Sequence, residues 1–317
     1  MDVSVVIPCK DSGELLRRSV QSALSMDGCV PLVEVVIVDD GSTDPETLSV
    51  QAELNTWSGV RLTSNENAPG PAGARNTGVE AADGTWIAFL DSDDMFLPWS
   101  IPARWEIVEA EPEARFIASD FEERDESGSS REWLATSLQA GHPLARSIAV
   151  ARKDTERRWL RIESPVQHIL EGSRLVWTGT VMVRRDIFLE LEGFDEALRG
   201  PEDTHLWLRL AAVTDLFLLA KSTAVYERQE GSLTRRSDSP PKLASIEAFK
   251  SLMGEDSLKS YRPVLNERLA AIQANVAEWY RGHGQPWKAL PIAAAAVARR
   301  PLSLGYWRML LGSLLRR

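Results

Sequence analysis

The stretch Trp86-Ile87-Ala88-Phe89-Leu90-Asp91-Ser92-Asp93-Asp94 decides the fold. Five apolar residues run without interruption into four polar residues, three of which are acidic. A short continuous apolar run is typical of a strand buried on both faces of a parallel sheet. Because ligands of such sheets bind at the carboxyl ends of the strands, we expect this acidic turn to lie at a binding edge.

The same pattern recurs towards the N-terminus. The apolar run 3–7 ends in Pro8-Cys9-Lys10-Asp11, and the run 33–38 ends in Asp39-Asp40-Gly41-Ser42. Helical stretches separate the strands and include residues 71–82 and 98–110. This alternation predicts an α/β fold with a mostly parallel, doubly wound sheet.

The second half of the chain has a less regular pattern of apolar residues. Residues 122–171 are polar and irregular, which favours a variable region without regular strands. Residues 175–183 predict a strand, and residues 202–213 predict an amphipathic helix. Beyond Pro240-Pro241 the sequence is helical and Ala-rich.

These patterns predict two domains. Residues 1–230 would form one α/β domain, with halves at 1–120 and 121–230. Residues 240–317 would form a C-terminal helical extension. Within that extension, one helical hairpin shows the spacing of a tetratricopeptide unit.

Charge is distributed unevenly along the 317 residues. Residues 262–317 hold nine Lys or Arg and two Glu, a local charge of +7, so a net charge of −10 leaves −17 for the remainder. An acidic body excludes general nucleic-acid binding. The basic C-terminal helices could contact an anionic membrane as peripheral elements, or they could present an ordinary solvated face.

Localisation follows from two further patterns. No window approaches the ~18 consecutive apolar residues of a spanning helix, and the N-terminus does not resemble a signal peptide. Cys9 and Cys29 lie far apart, which favours free thiols in a reducing compartment. We therefore expect a cytoplasmic protein. It would either be free in the cytoplasm or bind peripherally to the inner face of the membrane.

The acidic turn can bind a hard cation. Asp91 and Asp93 leave the same turn one residue apart, so one carboxylate can bind Mg²⁺ or Mn²⁺ while the other reaches a ribose or a water. Such a metal would neutralise charge on a diphosphate leaving group. Acidic turns also occur without a ligand, but a position directly after a full apolar strand favours the site.

Three further clusters could contribute to the chemistry. Asp40 could accept the N–H of a uracil-like base, or it could belong to a plain capping turn. In the segment Gly70-Pro71-Ala72-Gly73-Ala74-Arg75-Asn76-Thr77-Gly78, Arg75 could meet phosphate oxygens, unless the glycines only open a helix. Glu202 and Asp203 open a helix, where the dipole stabilises acids, and either could deprotonate an acceptor hydroxyl.

Taken in order, these motifs resemble the family 2 glycosyltransferases over roughly residues 1–225. The motifs that carry the resemblance are the following: Val3-Ser4-Val5-Val6-Ile7-Pro8, Val36-Ile37-Val38-Asp39-Asp40-Gly41-Ser42-Thr43-Asp44, the segment 70–78, Phe89-Leu90-Asp91-Ser92-Asp93-Asp94, Gly193-Phe194-Asp195 and Glu202-Asp203 with Leu206-Trp207-Leu208-Arg209-Leu210. The resemblance implies the glycosyltransferase-A fold, nucleotide-activated donors that are often UDP-sugars, and inversion at the anomeric carbon.

The resemblance also implies roles for individual residues. The implied nucleotide-binding set is Pro8, Lys10, Asp11, Asp40, Arg75, Asp91 and Ser92. Asp93 would be the metal ligand, for Mn²⁺ or Mg²⁺. Asp203 would be the catalytic base, with Glu202 as a less favoured substitute. Residues 1–230 would then be the nucleotide-sugar-binding catalytic domain, with the donor-binding half at 1–120 and the acceptor half, which includes the catalytic base, at 121–230.

The chain departs from the processive members of the family. It has neither their Gln-x-x-Arg-Trp motif after the base nor their membrane spans. Transfer of a single sugar to a saccharide or a lipid-linked saccharide is therefore the expected reaction. The alternative is a non-catalytic nucleotide-sugar-binding or scaffold protein on a degenerate transferase domain. A phosphatase of the haloacid dehalogenase type is disfavoured because Met95 stands where that motif requires Thr or Val.

Overall fold

The computed structural model describes residues 2–315 except 27–31, 126, 134–135, 137–140, 142–143, 154–157, 172–174, 228–239 and 241. The chain divides into two compact units. The first comprises Met1–Ala197 and Leu206–Gln229, and the second comprises Leu198–His205 and Glu230–Arg317. The predicted boundaries, 1–230 and 240–317, differ from this division at residues 198–205.

The first unit is built on one sheet. Its strands are β1 Val3–Cys9, β2 Val33–Asp39, β3 Val60–Ser64, β4 Trp86–Phe89, β5 Met95–Phe96, β6 Phe116–Arg124, β7 Ser130–Glu132, β8 Trp159–Ile162, β9 Met182–Arg184 and β10 Leu216–Glu227. The order along the sheet is β3-β2-β1-β4-β9-β6-β10-β5, with β7 paired to β6 and β8 paired to β10.

Helices connect the strands and continue into the second unit. Those of the first unit are α1 Glu14–Leu24, α2 Pro45–Leu54, α3 Pro71–Ala81, α4 Ser100–Ala110, α5 Ala145–Ala151, α6 Val166–Glu171 and α7 Arg185–Glu190. Helix α8, Glu202–Val213, begins in the second unit and ends in the first. The second unit also contains α9 Leu243–Gly254, α10 Arg262–Gly282, α11 Pro286–Arg299 and α12 Leu304–Leu315.

The predicted fold class is confirmed. Strands β3, β2, β1 and β4 are parallel. The apolar residues of β1 and β4, and those of β2 after Val33, are almost fully buried, whereas those of the edge strand β3 are only partly buried. Beyond β4 the sheet becomes mixed, since β9 runs antiparallel to both β4 and β6. Strand β10 returns parallel to β6.

The segment 175–183 is not one strand. A 3-10 turn, Thr178–Thr180, precedes the short strand β9. The buried guanidinium of Arg104 donates to the carbonyls of Thr180 and Val181, both at 3.1 Å. Those carbonyls therefore bind a side chain, and the extended segment begins later than the apolar pattern indicates.

The prediction of an irregular segment at 122–171 is wrong in part. Strand β6 extends to Arg124, and β8 with the short helices α5 and α6 lies in this region. Strand β10 was not predicted. It follows helix α8 after only two residues, without Gly or Pro to mark the change.

The second unit is helical, as expected of the C-terminal part. Its helices bury small side chains against each other, and the cluster consists of Ala277, Ala289, Ala293, Ala296 and Met309. Small residues allow close approach of the helix backbones. Among the described residues, no helix is both long enough and apolar enough to cross a membrane.

A glycine in α3 fixes the approach of that helix to the sheet. A Cβ atom at Gly78 would lie 2.3 Å from Cγ1 of Val6 on β1 and 3.1 Å from Cγ2 of Val38 on β2. Neither valine has room to move, because both are fully buried. The position of α3, which carries Arg75, therefore depends on this glycine.

We predict that Gly78→Ala lowers the free energy of unfolding by about 1–3 kcal/mol, although alanine favours a helix over glycine. The reason is overpacking against β1 and β2. Thermal and urea unfolding followed by circular dichroism would measure the loss. Gly254→Ala is the matched control, since a Cβ there meets nothing within 4 Å. A Gly78→Ala protein as stable as its parent would contradict this packing.

Candidate active site

Three loops meet at one edge of the sheet. Strand β1 lies between β2 and β4, in register Cys9↔Asp39 and Val6↔Phe89. Because the three strands are parallel, the loops that follow them emerge on the same side. The hydroxyls of Ser12 and Ser92 lie 2.7 Å apart, which joins the loop after β1 to the loop after β4.

The loop after β4 crowds negative charge. Burial, and then the neighbouring carboxylate of Asp91, raise the pKa of Asp93 to about 6. Asp94 is 1% exposed, and burial together with Asp91 and Asp93 raises its pKa well above the ordinary value. The site therefore favours a bound cation or proton at Asp93.

Asp94 is a residue of the loop to which the sequence pattern gave no role. Its Oδ1 accepts the backbone N–H of Glu227, at the end of β10, at 3.1 Å. Its carbonyl oxygen accepts the Ser19 hydroxyl at 2.6 Å. Asp94 thus anchors the acidic loop to a distant strand, which holds the preceding residue Asp93 in place.

The sequence patterns also gave no role to Glu227. Its Oε1 accepts from Arg18 Nη2 and from Arg124 Nη1, each at 3.2 Å. Its charge adds to the rise in the pKa of Asp93. No local signal at residue 227 reveals this, because its partners are more than 100 residues away in sequence.

Arg75 meets Asp91 rather than standing alone. Its Nη2 donates to Oδ1 of Asp91 at 2.6 Å, and its guanidinium lies 5.6 Å from the ring centre of Phe194. Arg75 is 5% exposed. The motif in α3 and the acidic motif after β4 are therefore joined by a largely buried ion pair, and Asp91 is held in place by it.

Asp40 holds the start of α3. Its two oxygens accept the N–H of Gly70 at 3.1 and 2.9 Å, and Oδ1 also accepts from Asn65 at 2.6 Å. The ammonium of Lys10 lies 3.8 Å from Oδ2 and is largely exposed. The two predicted nucleotide-binding residues Asp40 and Lys10 are thus neighbours at the edge of the sheet.

Asp11 joins the loops after β1 and β2. Its Oδ1 accepts the N–H groups of Thr43 and Asp44 at 2.7 and 2.8 Å. The residue has a φ of 49°, a left-handed conformation that non-glycine residues rarely adopt. The structure thus gives Asp11 a positioning contact. Pro8 lies on β1 itself, opposite Val38 of β2, and is half-buried.

The Gly193-Phe194-Asp195 motif supports α3. Asn76 donates to the carbonyl of Phe194 and accepts its N–H, both at 2.9 Å. This reciprocal pair places the Phe194 ring below Arg75. The motif is therefore explained by its contact with the helix that carries the arginine.

Glu202 and Asp203 belong to the second unit, at the first turn of α8. Glu202 is 5% exposed and accepts the N–H of Gly200 at 3.1 Å. Asp203 is half-buried and accepts the N–H of Thr204 at 2.5 Å. Of the two acids, Asp203 is the one with more access to solvent.

Residues 4–173 match the model of Glycosyl transferase family 2, which is more than half of the 317 residues. The chain belongs to this family. The matched segment contains the loops after β1, β2 and β4 and the whole of α3. The motifs at 36–44, 70–78 and 89–94, and the first motif from Ser4 onwards, lie in this segment, whereas the motifs at 193–195 and 202–210 lie outside it.

Relatives with curated names share part of this segment. Succinoglycan biosynthesis protein ExoO of Rhizobium meliloti (strain 1021) is 43% identical over 97 residues, 31% of this chain and 27% of its own length. The Escherichia coli protein named UDP-Glc:alpha-D-GlcNAc-diphosphoundecaprenol beta-1,3-glucosyltransferase WfgD is 37% identical over 95 residues, 30% of this chain and 36% of its own. The chain thus spans only about a third of the length of these relatives.

The fold is also similar to a solved structure. TarS of S. aureus, residues 1–349, in complex with UDP-GlcNAc superposes with a TM-score of 0.65 at 17% identity. The match covers 99% of this chain and 80% of that one. At this identity the likeness shows the glycosyltransferase-A fold alone.

The donor set of this family 2 site fits a hard divalent cation. Crowded carboxylates, one with a raised pKa, are oxygen ligands of the kind that Mg²⁺ and Mn²⁺ bind. In the part of the chain that the structure describes, no three His, Cys, Asp or Glu side chains form a metal cage. Asp93 is the residue of this loop that could hold such an ion.

We predict that Asp93→Asn stabilises the metal-free protein at pH 7.5 by about 1–2 kcal/mol, because it removes a buried, repelled charge. Because the pKa of Asp93 is higher in the folded than in the unfolded protein, its carboxyl group favours the folded state at low pH. That contribution to the free energy of unfolding is lost as the pH rises through about 6. The gain should therefore be smaller at pH 4.5 and vanish only below the ordinary pKa of 3.8.

Thermal unfolding at both pH values would measure this effect. Asp256→Asn, at an exposed position of the second unit, is the control and should change little. Equal stability of Asp93→Asn and its parent at pH 7.5 would show that the carboxylate is not destabilised.

Proposed function

We propose that the chain transfers a single sugar, of the hexose type, from a nucleoside-diphosphate donor to a saccharide or lipid-linked saccharide, with inversion. The observation that supports this best is the crowded acidic loop after β4, braced by Arg75, within the segment matched to the family. The names of the relatives favour UDP-sugars, since WfgD is named for UDP-Glc and TarS was solved with UDP-GlcNAc.

Donor binding would use the shared edge of the first unit. Asp40, Pro8 and Lys10 would receive the nucleobase, with Asp11 fixing the loops beside them. Asp91, held by Arg75, would face the ribose or the donor sugar, with Ser92 next to it. The fixed hydrogen bonds of Asp40 and Asp11 reduce the reorganisation that binding requires.

Asp93 would hold the metal. A bound Mn²⁺ or Mg²⁺ supplies positive charge to the departing diphosphate. The raised pKa of Asp93 fits this role, because a cation relieves the repulsion that burial and Asp91 impose. Arg75 pairs with Asp91 of the acidic loop, and Arg18 pairs with Glu227, whose charge acts on Asp93.

Asp203 would be the general base. It would take the proton of the acceptor hydroxyl while that oxygen attacks the anomeric carbon and the nucleoside diphosphate leaves from the opposite face. One displacement inverts the anomeric centre without a covalent enzyme intermediate. Glu202 is the weaker candidate, since it is buried and accepts from Gly200.

The reaction is proposed for a reducing compartment, the cytoplasm. Cys9, a free thiol, is buried at the end of β1. Buried thiols of this kind are stable where disulfides do not form.

We predict that Asp203→Asn lowers the transfer rate by at least about a hundredfold, since general base catalysis typically contributes 10²–10⁴-fold. Nucleotide binding, measured by isothermal titration with UDP, should stay within about threefold of the parent. Glu202→Gln should retain most of the activity. Loss of UDP binding in a folded Asp203→Asn protein, or unchanged turnover, would reject this assignment.

A second prediction concerns Asp93→Ala. We expect this variant to lose the enhancement of UDP binding by Mn²⁺, because the direct ligand is gone. The measurement is a titration of UDP with and without Mn²⁺, with Asp256→Asn as the control. A variant with the same Mn²⁺ dependence as its parent would place the metal elsewhere, and a parent that binds no nucleotide would favour a non-catalytic scaffold.

A further inference from the structure

The outer face of α12 is apolar. Its exposed residues are Leu304, Trp307, Leu311 and Leu314, with exposures of 73%, 42%, 51% and 51%. Their spacing of three, four and three places them in one stripe along the helix. Leu302, just before the helix, is 96% exposed and extends the apolar surface.

The opposite face of α12 is already packed. Met309 and Ser313 are 8% and 5% exposed, and Met309 joins the alanine cluster of α10 and α11. Tyr306 and Leu310 pack against the same cluster. The inner face therefore anchors the helix, and the exposed outer stripe does not take part in the packing of this unit.

Positive charge accompanies the stripe. Residues 286–317 contain six Lys or Arg and no Asp or Glu, in a chain whose net charge is −10. Arg308 is exposed and follows Trp307 within α12. An apolar stripe with basic residues and an aromatic side chain is the pattern of helices that lie in the surface of a bilayer.

We propose that the stripe Leu302, Leu304, Trp307, Leu311 and Leu314 binds the surface of an anionic phospholipid bilayer. The apolar side chains would enter the acyl boundary, and the exposed Arg308 would meet lipid phosphates. Trp307 would lie at the level of the headgroups, which amphipathic aromatic rings prefer.

A second copy of this chain fits the surface less well. Two such stripes face to face would bring together two segments of like charge, since residues 286–317 contain six Lys or Arg and no acidic residue, and of these Arg300 pairs with Glu267. The large apolar side chains exposed in the first unit are scattered over separate elements: Leu32, Leu48, Val150, Leu189 and Val213. Charge and shape therefore favour a lipid surface over another protomer.

Flotation of the full chain with vesicles tests the proposal. We use phosphatidylcholine alone and equal parts of phosphatidylcholine and phosphatidylglycerol, at low and at high salt. We expect binding to the anionic vesicles, about tenfold or more above the neutral ones, and weakened by salt. Absence of binding to anionic vesicles at low salt would overturn the proposal.

Variants separate the stripe from general charge effects. The double variant Leu304→Ser with Leu311→Ser should lower the bound fraction about tenfold or more, and Arg308→Gln should lower it less. Leu48→Ser is the matched control, since Leu48 is 45% exposed on α2 of the first unit. Equal losses in the control and in the stripe variant would reject the stripe as the contact.

Two further measurements distinguish membrane binding from self-association and from loss of the proposed activity. Gel filtration of the parent reports self-association, and a dimer abolished by the stripe variant would show that a second copy covers the surface instead. Donor hydrolysis should be unchanged in the stripe variant, since none of its residues lies in the proposed catalytic set. Failure of vesicle binding would therefore leave the proposed reaction untouched.

Discussion

Three carboxylates, those of Asp91, Asp93 and Asp94, leave the end of β4 within four residues, where burial restricts access of water. Their mutual repulsion is compensated only in part, because Arg75 pairs with Asp91 and the backbone of Glu227 donates to Asp94. Asp93 remains with a raised pKa. The rest of the site can be understood as the means by which the fold tolerates this charge.

The surrounding contacts hold the charged loop rigidly. The α3 helix carries Arg75, and its position depends on Gly78 against the sheet and on Asn76 against Phe194. Asp40 fixes the N-terminus of the same helix through Gly70. Several polar residues of the domain therefore hold α3 and the loops in place. Asp40 and Asp11, which are predicted to bind nucleotide, are among them.

Much of this edge could be predicted from the sequence, because it is encoded locally. An apolar run followed by acids identifies β4 and its loop, and the same pattern identifies β1 and β2. The contacts of Asp94 and Glu227 could not be predicted, since their pairing joins residues 133 positions apart through the register of β10. The segment 175–183 was misread for a related reason, because Arg104, far away in sequence, binds two of its carbonyls. The structure places Asp11, Ser92 and Pro8 at or beside this edge of the sheet, and their part in nucleotide binding stays a prediction.

We propose that the charge at Asp93 binds a metal–nucleotide donor. The test is release of UDP from UDP-sugars by the unmodified chain, followed by chromatography with Mn²⁺ and with a chelator, because many transferases hydrolyse their donor slowly. We predict release with Mn²⁺ from at least one of UDP-glucose, UDP-galactose and UDP-GlcNAc, and none with the chelator. Release that is equally fast with the chelator, or no release from any of the three, would contradict this role of Asp93.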